Sequence, residues 1–238
     1  GRVMRRFLLV MALSVAACDV TMDSGPAPAV AAAPGQGFSP AEAGLAFAEI
    51  TRAVEPVAER ECRSRTRGLN CDFRIQIDPD RRAAPNAYQS LDRSGRPVIT
   101  FTWSMLGEIS NRDELAFVMS HETAHHIQGH LARQQENALS GAVIFAGLAT
   151  IAGASAGDIA NAQDLGAFVG ARSYSKEFEL EADQLGAIIT HKAGYRPSEG
   201  VKFFARLPDP GDRFLGTHPA NYDRVKVVND TIRRYGLN

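Results

Sequence analysis

Within residues 111–135, NRDELAFVMSHETAHHIQGHLARQQ, His121, Glu122 and His125 form an H-E-x-x-H pattern. On a helix, residues four apart share a face, so both imidazoles can bind a single Zn²⁺ at about 2.0–2.1 Å. Glu122 lies about 100° further round the helix, beside such an ion rather than on it. A base that takes a proton from a zinc-activated water belongs there. Two histidines leave the site incomplete, because catalytic zinc takes three protein ligands and keeps one position open. Residues 178–186, FELEADQLG, supply the rest. Glu179 and Asp183 share a helix face at i and i+4. Gly186 continues that face at i+7 with no side chain to hold two helices apart. Glu179 is the expected third ligand. Asp183 is expected to accept the free ring N–H of a ligand histidine. Glu177 and Glu181 read as a solvated acidic face. His126 and His130 are also four apart, but on a neighbouring face with no base between them. They read as supporting or packing residues.

These groups need rigid elements. Asn111, with Glu114 three residues on, fits a capping box that starts the H-E-x-x-H helix. Leu115, Phe117, Val118, Met119, Ile127 and Leu131 give it a broad apolar face. The second helix is expected to end near Lys192, with Gly194 as its cap. Residues 97–103, PVITFTW, are β-rich and immediately precede the first helix. An exposed edge there, carrying Ile99 and Phe101, could pair with an extended substrate by strand addition; the alternative is a plain core strand. Residues 41–60, 197–206 and 222–235 are helical in composition. The expected class is therefore α+β and mostly helical, with a small sheet of three or four strands beside the H-E-x-x-H helix.

H-E-x-x-H followed at this separation by E-x-x-x-D resembles the gluzincin metallopeptidases of the HtpX and CAAX-prenyl-endopeptidase group. More narrowly, the chain is similar to their periplasmic lipoprotein members without transmembrane helices. The resemblance covers residues 73–222. Asp113-Glu114-Leu115-Ala116 matches the group's D-E-L-A run, and His130 a further frequent histidine. Ser175, Lys176, Glu179, Ala182, Asp183 and Gly186 match its second-helix signature, except that Lys176 stands where arginine is usual. Thr217-His218-Pro219 with Arg224 matches a late T-H-P…R element. Pro85-Asn86-Ala87-Tyr88 resembles the segment before the active-site strand, though the Pro-Gly-Gly that often follows is absent. The resemblance implies one zinc ion per chain and a substrate-facing Asn86. A peptidase also needs donors for the transition-state oxyanion, and His218 and Arg224 are the candidates. His218 has two other readings, as a resting zinc ligand and as a plain loop histidine.

The N-terminus reads as an address. Met4-Arg5-Arg6 precedes an apolar run at 7–17, too short to span a hydrocarbon core of about 30 Å. It ends Val15-Ala16-Ala17-Cys18, which resembles a lipobox, so residues 1–17 are expected to be a lipoprotein signal peptide and Cys18 the lipidated residue. Residues 18–40, rich in Pro, Ala and Gly, are expected to be a disordered tether with a reach of roughly 25 Å. Residues 41–238 are then the zinc metallopeptidase domain, lipid-anchored on the periplasmic side of a bacterial envelope membrane. Asp19 resembles an inner-membrane retention signal, and the choice between inner and outer membrane stays open. The chain has three cysteines. With Cys18 lipidated, Cys62 and Cys71 remain as a candidate disulfide in an oxidising compartment.

With 26 basic against 27 acidic residues among 238, the chain has no block of charge suited to phosphates, which argues against nucleic acid as a partner. At 45% hydrophobic and 22% charged it is neither disordered nor a multi-span membrane protein. Residues 138–157 carry no charge but are mostly Ala, Gly, Ser and Thr. They are expected to form a helix packed against the domain through Ile144, Leu148 and Ile151. Gly153-Ala154-Ser155-Ala156-Gly157 fits G-x-S-x-G but lacks the strand that a nucleophile elbow needs. The expected function is zinc-dependent endopeptidase activity on envelope proteins, in quality control or beside an envelope assembly complex. The alternatives are a non-proteolytic chaperone or binding module that retains the zinc site, and a structural lipoprotein stapled by zinc. An intact Glu122 argues against the first, and an open fourth position against the second.

Overall fold

The structure, a computed structural model, describes residues 38–172, 175–206 and 222–237. Cys18, the expected signal peptide, nearly all of the expected tether and His218 lie outside the described residues.

Helix α1 (Pro40–Arg65) opens with a closed capping box. The Ser39 hydroxyl accepts from the Glu42 N–H, and the Glu42 carboxylate accepts from the Ser39 N–H at 3.0 Å. Pro40, the last residue of the expected tether, is thus the first residue of a helix. Strands β1 (Arg74–Ile77), β2 (Ala87–Leu91) and β3 (Pro97–Phe101) follow. Helix α2 (Trp103–Glu108) leads into α3 (Arg112–Ile127), the H-E-x-x-H helix. After these come α4 (His130–Ile151), α5 (Ala156–Arg172) and α6 (Ser175–Lys192), the last carrying Glu179 and Asp183. Two single turns, α7 (Pro197–Gly200) and α8 (Lys202–Arg206), precede α9 (Tyr222–Tyr235). The class is α+β and mostly helical, as expected.

The sheet corrects one expectation. Its order is β1-β3-β2, with β3 parallel to β1 and antiparallel to β2, so that Ile99 faces both Ile75 and Gln89. β3 is paired on both sides, and Ile99 and Phe101 are fully buried. Neither residue offers a substrate an edge. Phe101 instead packs edge-on against Phe47 of α1, ring centroids 5.6 Å apart. Among the described residues the open edges belong to β1 and β2, and β2 lies alongside α3.

Helix α3 is the axis of the core. Every residue from Glu114 to Ile127 is buried, which makes it a core helix rather than an amphipathic one. Leu115, Phe117 and Met119 are wholly buried, each stabilising the fold by about 1.5–3 kcal/mol. Asn111 caps it by accepting the Glu114 N–H at 3.0 Å. The expected box closes one residue early, since the Glu114 carboxylate accepts from Ser110 N–H at 2.8 Å and also binds Arg206.

Helices α4 and α5 form a hairpin that packs mainly on itself. A Cβ on Gly141 would fall 2.0 Å from the Gly166 carbonyl oxygen, so the small residues are the contact between the two helices. Ile144, Leu148 and Ile151, expected to pack against the domain, face outward at 58%, 61% and 86% exposure. Ser155 in the connecting turn caps α5, its hydroxyl bonded to Asp158 at 2.6 Å, which disposes of a nucleophile elbow. Among the described residues no helix is long and apolar enough to cross a membrane.

Candidate metal centre

Two helices build the centre, and Gly186 sets their distance. A Cβ there would lie 3.1 Å from His121 Cα and 3.2 Å from its backbone nitrogen, so α6 could not approach α3 as closely with any other residue. At this approach His121, His125 and Glu179 converge, all three buried. The two Nε2 atoms are 3.0 Å apart. One Glu179 oxygen lies 3.3 Å from His121 Nε2, and the other 3.3 Å from His125 Nε2. Two tetrahedral ligands at about 2.0–2.1 Å from one ion are themselves about 3.3–3.4 Å apart. Both the spacing and the donor types therefore fit zinc held by two imidazoles and a carboxylate. Glu122, one residue from His121, is buried at 2% exposure.

Behind the triad, His121 Nδ1 meets Asp183 Oδ1 at 2.9 Å. A proton on Nδ1 leaves the Nε2 lone pair directed at the metal position. Asp183 is held in turn by Arg224 of α9, whose Nε and Nη2 each reach a carboxylate oxygen at 2.7 Å. Arg224 also lies 3.3 Å from Glu179 Oε2, with its guanidinium carbon 3.7 Å above the Phe204 ring. Both Arg224 and Asp183 are 0% exposed. Burial alone would raise the Asp183 pKa, but Arg224 and His121 outweigh it and hold the carboxyl below its ordinary value. For His121, burial works against protonation. The neighbouring Arg224 charge opposes it too, but the Asp183 carboxylate, helped by Glu179, outweighs both and moves the pKa up to about 9.

Arg224 therefore differs from its expected role. A guanidinium committed to Asp183 and sealed from solvent cannot donate to a substrate oxyanion, and its place is behind the ligands. Glu181 differs too. Read as part of a solvated face, it lies 3.0 Å from His130 Nε2 and accepts from Arg133 at 2.6 Å. The contact depends on where α4 crosses α6, which local spacing does not encode. His126 points away from the triad, its Nε2 2.7 Å from the Asn70 carbonyl and its ring edge-on to Phe73. Lys176 pairs with Asp223 at 2.5 Å and so ties α6 to α9. Asn86 immediately precedes β2. Its backbone is held by Thr102, while its side-chain oxygen is buried with no partner among the described residues. Cys62 and Cys71 stand with Cα atoms 5.7 Å apart and sulfurs at bonding distance.

Comparison with known proteins agrees with this geometry. Residues 45–232 match the profile of Peptidase family M48. A Vibrio cholerae protein assigned as a beta-barrel assembly-enhancing protease is 35% identical over 142 residues, 52% of the chain. The mitochondrial metalloendopeptidase OMA1 of Saccharomyces cerevisiae is 30% identical over 172 residues, 68% of the chain. The beta-barrel assembly-enhancing protease of Escherichia coli K12 is 31% identical over 128 residues, 48% of the chain. These matches take in 28%, 47% and 26% of the relatives' own lengths, so the chain spans less than half of each.

Proposed function

The chain belongs to peptidase family M48, and from that premise we propose that it is a zinc-dependent endopeptidase acting on proteins of the cell envelope. The observation that carries this reading is the convergence of His121, His125 and Glu179 on one point beside a buried Glu122. His121, His125 and Glu179 would hold one Zn²⁺. When bound, the ion supplies Lewis acidity, polarising a scissile carbonyl and bringing the pKa of a water towards about 7. Glu122 takes the proton of the attacking water on its carboxylate and passes it to the leaving amine nitrogen. Asp183 keeps the His121 proton on Nδ1, and Arg224 keeps Asp183 ionised and in place. His218 is the remaining candidate donor to the oxyanion, and its alternative is to ligate zinc in a resting form.

An extended substrate pairs with an open sheet edge, and β2 is the edge beside α3. Asn86, immediately before β2, is the residue we propose to face the substrate, as the family resemblance implies. The names of the bacterial relatives point to proteins engaged in β-barrel assembly as the substrate or partner class. We further propose residues 1–17 as a lipoprotein signal, Cys18 as the lipidated residue, and residues 18 to about 39 as a tether holding the domain near a membrane surface. Sulfur atoms of Cys62 and Cys71 at bonding distance support an oxidising compartment.

Cleavage of unfolded casein is the direct test. The expected result is cleavage abolished by a zinc chelator and restored by one equivalent of Zn²⁺. Cleavage that survives exhaustive chelation would refute the reading, as would a zinc-loaded protein inert towards casein and towards envelope proteins alike.

A further inference from the structure

His121 and His125 stand in the same helix, yet different groups support their far ring nitrogens. His121 Nδ1 faces Asp183, an acceptor in any ionised state. His125 Nδ1 faces another imidazole nitrogen, His130 Nδ1, at 2.8 Å. Two imidazole nitrogens can share one proton only if one ring donates and the other accepts. A His125 that binds metal through Nε2 must carry its proton on Nδ1, so His130 must accept there. For that, the His130 proton must sit on Nε2. Glu181, on α6, selects this tautomer, because its carboxylate accepts at 3.0 Å from His130 Nε2. Arg133, one turn along α4, donates to the same oxygen at 2.6 Å.

The surroundings fix each ring. Phe178, the residue before the third ligand, stacks on His130 with centroids 4.7 Å apart and planes 10° apart. The Arg133 guanidinium carbon lies 4.3 Å from the centroid of the Phe178 ring. Gly129, at φ +68, breaks α3 from α4 and turns the chain so that His130 folds back onto His125. A residue with a Cβ would resist that left-handed conformation by about 1–2 kcal/mol.

We propose that His130, Glu181 and Arg133 form a directional relay, His125 Nδ1–H to His130 Nδ1 and His130 Nε2–H to Glu181, that positions His125 as a zinc ligand. These are positioning residues, which act through His125. The inference rests on the reading of the triad as a zinc site. Groups that orient a metal-bound histidine typically govern metal affinity by ten- to a hundredfold.

The test measures zinc affinity of the purified protein by competition with a chromophoric chelator, alongside the thermal midpoint of the metal-free form. His130→Phe keeps a ring to stack on Phe178 but removes the acceptor. It is expected to weaken zinc ten- to a hundredfold, with the metal-free midpoint held. Glu181→Gln, at a half-exposed position, retains the fold and weakens zinc several-fold. The double variant is expected to be no weaker than His130→Phe alone, because the two groups act in series. His126→Gln, facing the Asn70 carbonyl instead, leaves affinity unchanged. In the zinc-loaded wild type, nitrogen-15 NMR of the imidazoles should show His125 protonated at Nδ1 and His130 at Nε2. Affinity of His130→Phe or Glu181→Gln within twofold of wild type, multiplying losses in the double variant, or the opposite His130 tautomer would each overturn the relay. A wild type that binds no zinc overturns the metal site itself, and the relay with it.

Discussion

Removing Arg224 tests how the centre is held together. Arg224→Met deletes a guanidinium that is 0% exposed and makes two 2.7 Å bonds to Asp183. The Asp183 carboxylate then stays buried without that counter-charge. Breaking a buried pair from one side costs about 3–5 kcal/mol, a large share of the roughly 5–15 kcal/mol that holds a domain folded. Asp183→Asn leaves the guanidinium its 3.3 Å contact with Glu179 Oε2, at a cost somewhat below that of Arg224→Met. The double variant removes both partners of the 2.7 Å pair and leaves Glu179 without the guanidinium, as Arg224→Met alone does, so its cost falls short of the sum of the singles by about 2–3 kcal/mol. Urea unfolding of all four proteins under chelation, with unchanged m-values, measures the coupling free of metal. Single-variant costs that add to within about 0.5 kcal/mol, the usual scatter for independent sites, would refute the claim that α6 and α9 are locked through this pair.

Gly186→Ala gains up to about 1 kcal/mol of helix propensity. It also places a Cβ about 3 Å from backbone atoms of His121, an overpacking cost of about 1–3 kcal/mol. The expected net is zero to 2 kcal/mol of destabilisation, with zinc bound more weakly because Glu179 moves with α6. Unchanged zinc affinity would show that the helix spacing does not matter. Glu61 of α1 binds Lys192 of α6 and Arg65. Burial opposes ionisation there, but these two partners outweigh it and lower the pKa below the ordinary 4.5. A carboxyl lowered on folding stabilises the fold above its unfolded pKa, and that contribution is lost as pH falls through the folded value. The wild-type advantage over Glu61→Gln, about 1 kcal/mol because the partners are half exposed, is expected in full at neutral pH and to shrink progressively as pH falls from 4.5 through the lower folded value. A series of urea midpoints from pH 7 down through the acid range checks it. Reducing a Cys62–Cys71 bond reopens a loop of sequence separation 9 and is expected to cost about 2–3 kcal/mol, read as a fall in the urea midpoint with dithiothreitol.

Local spacing made much of the centre legible. The four-residue interval from His121 to His125, the same interval from Glu179 to Asp183, and the small residue at Gly186 all follow from helical periodicity. What stayed hidden depended on long-range placement. Residues 97–101 read equally as an edge or a core strand, because strand order is set by pairing with partners 6 to 24 residues away. Glu181 looked solvated because its partner His130 is 51 residues distant and is turned towards it by the break at Gly129. The stripe of Ile144, Leu148 and Ile151 has helical period, but the face that packs in the α4–α5 hairpin is the one with glycines, where backbones meet. Arg224 was recognised as belonging to the site, yet its side of the ligands depended on the approach of α9 to α6.

The central claim is that this centre binds zinc independently of Glu122 and cleaves peptides only with it. Glu122→Gln keeps the shape of the side chain and removes the base. Zinc content and casein cleavage, measured on the same preparation of wild type and variant, test the claim together. The expected result is one zinc per chain in both proteins, with cleavage in the wild type only. A zinc-loaded Glu122→Gln protein that still cleaves casein at an appreciable fraction of the wild-type rate would contradict it.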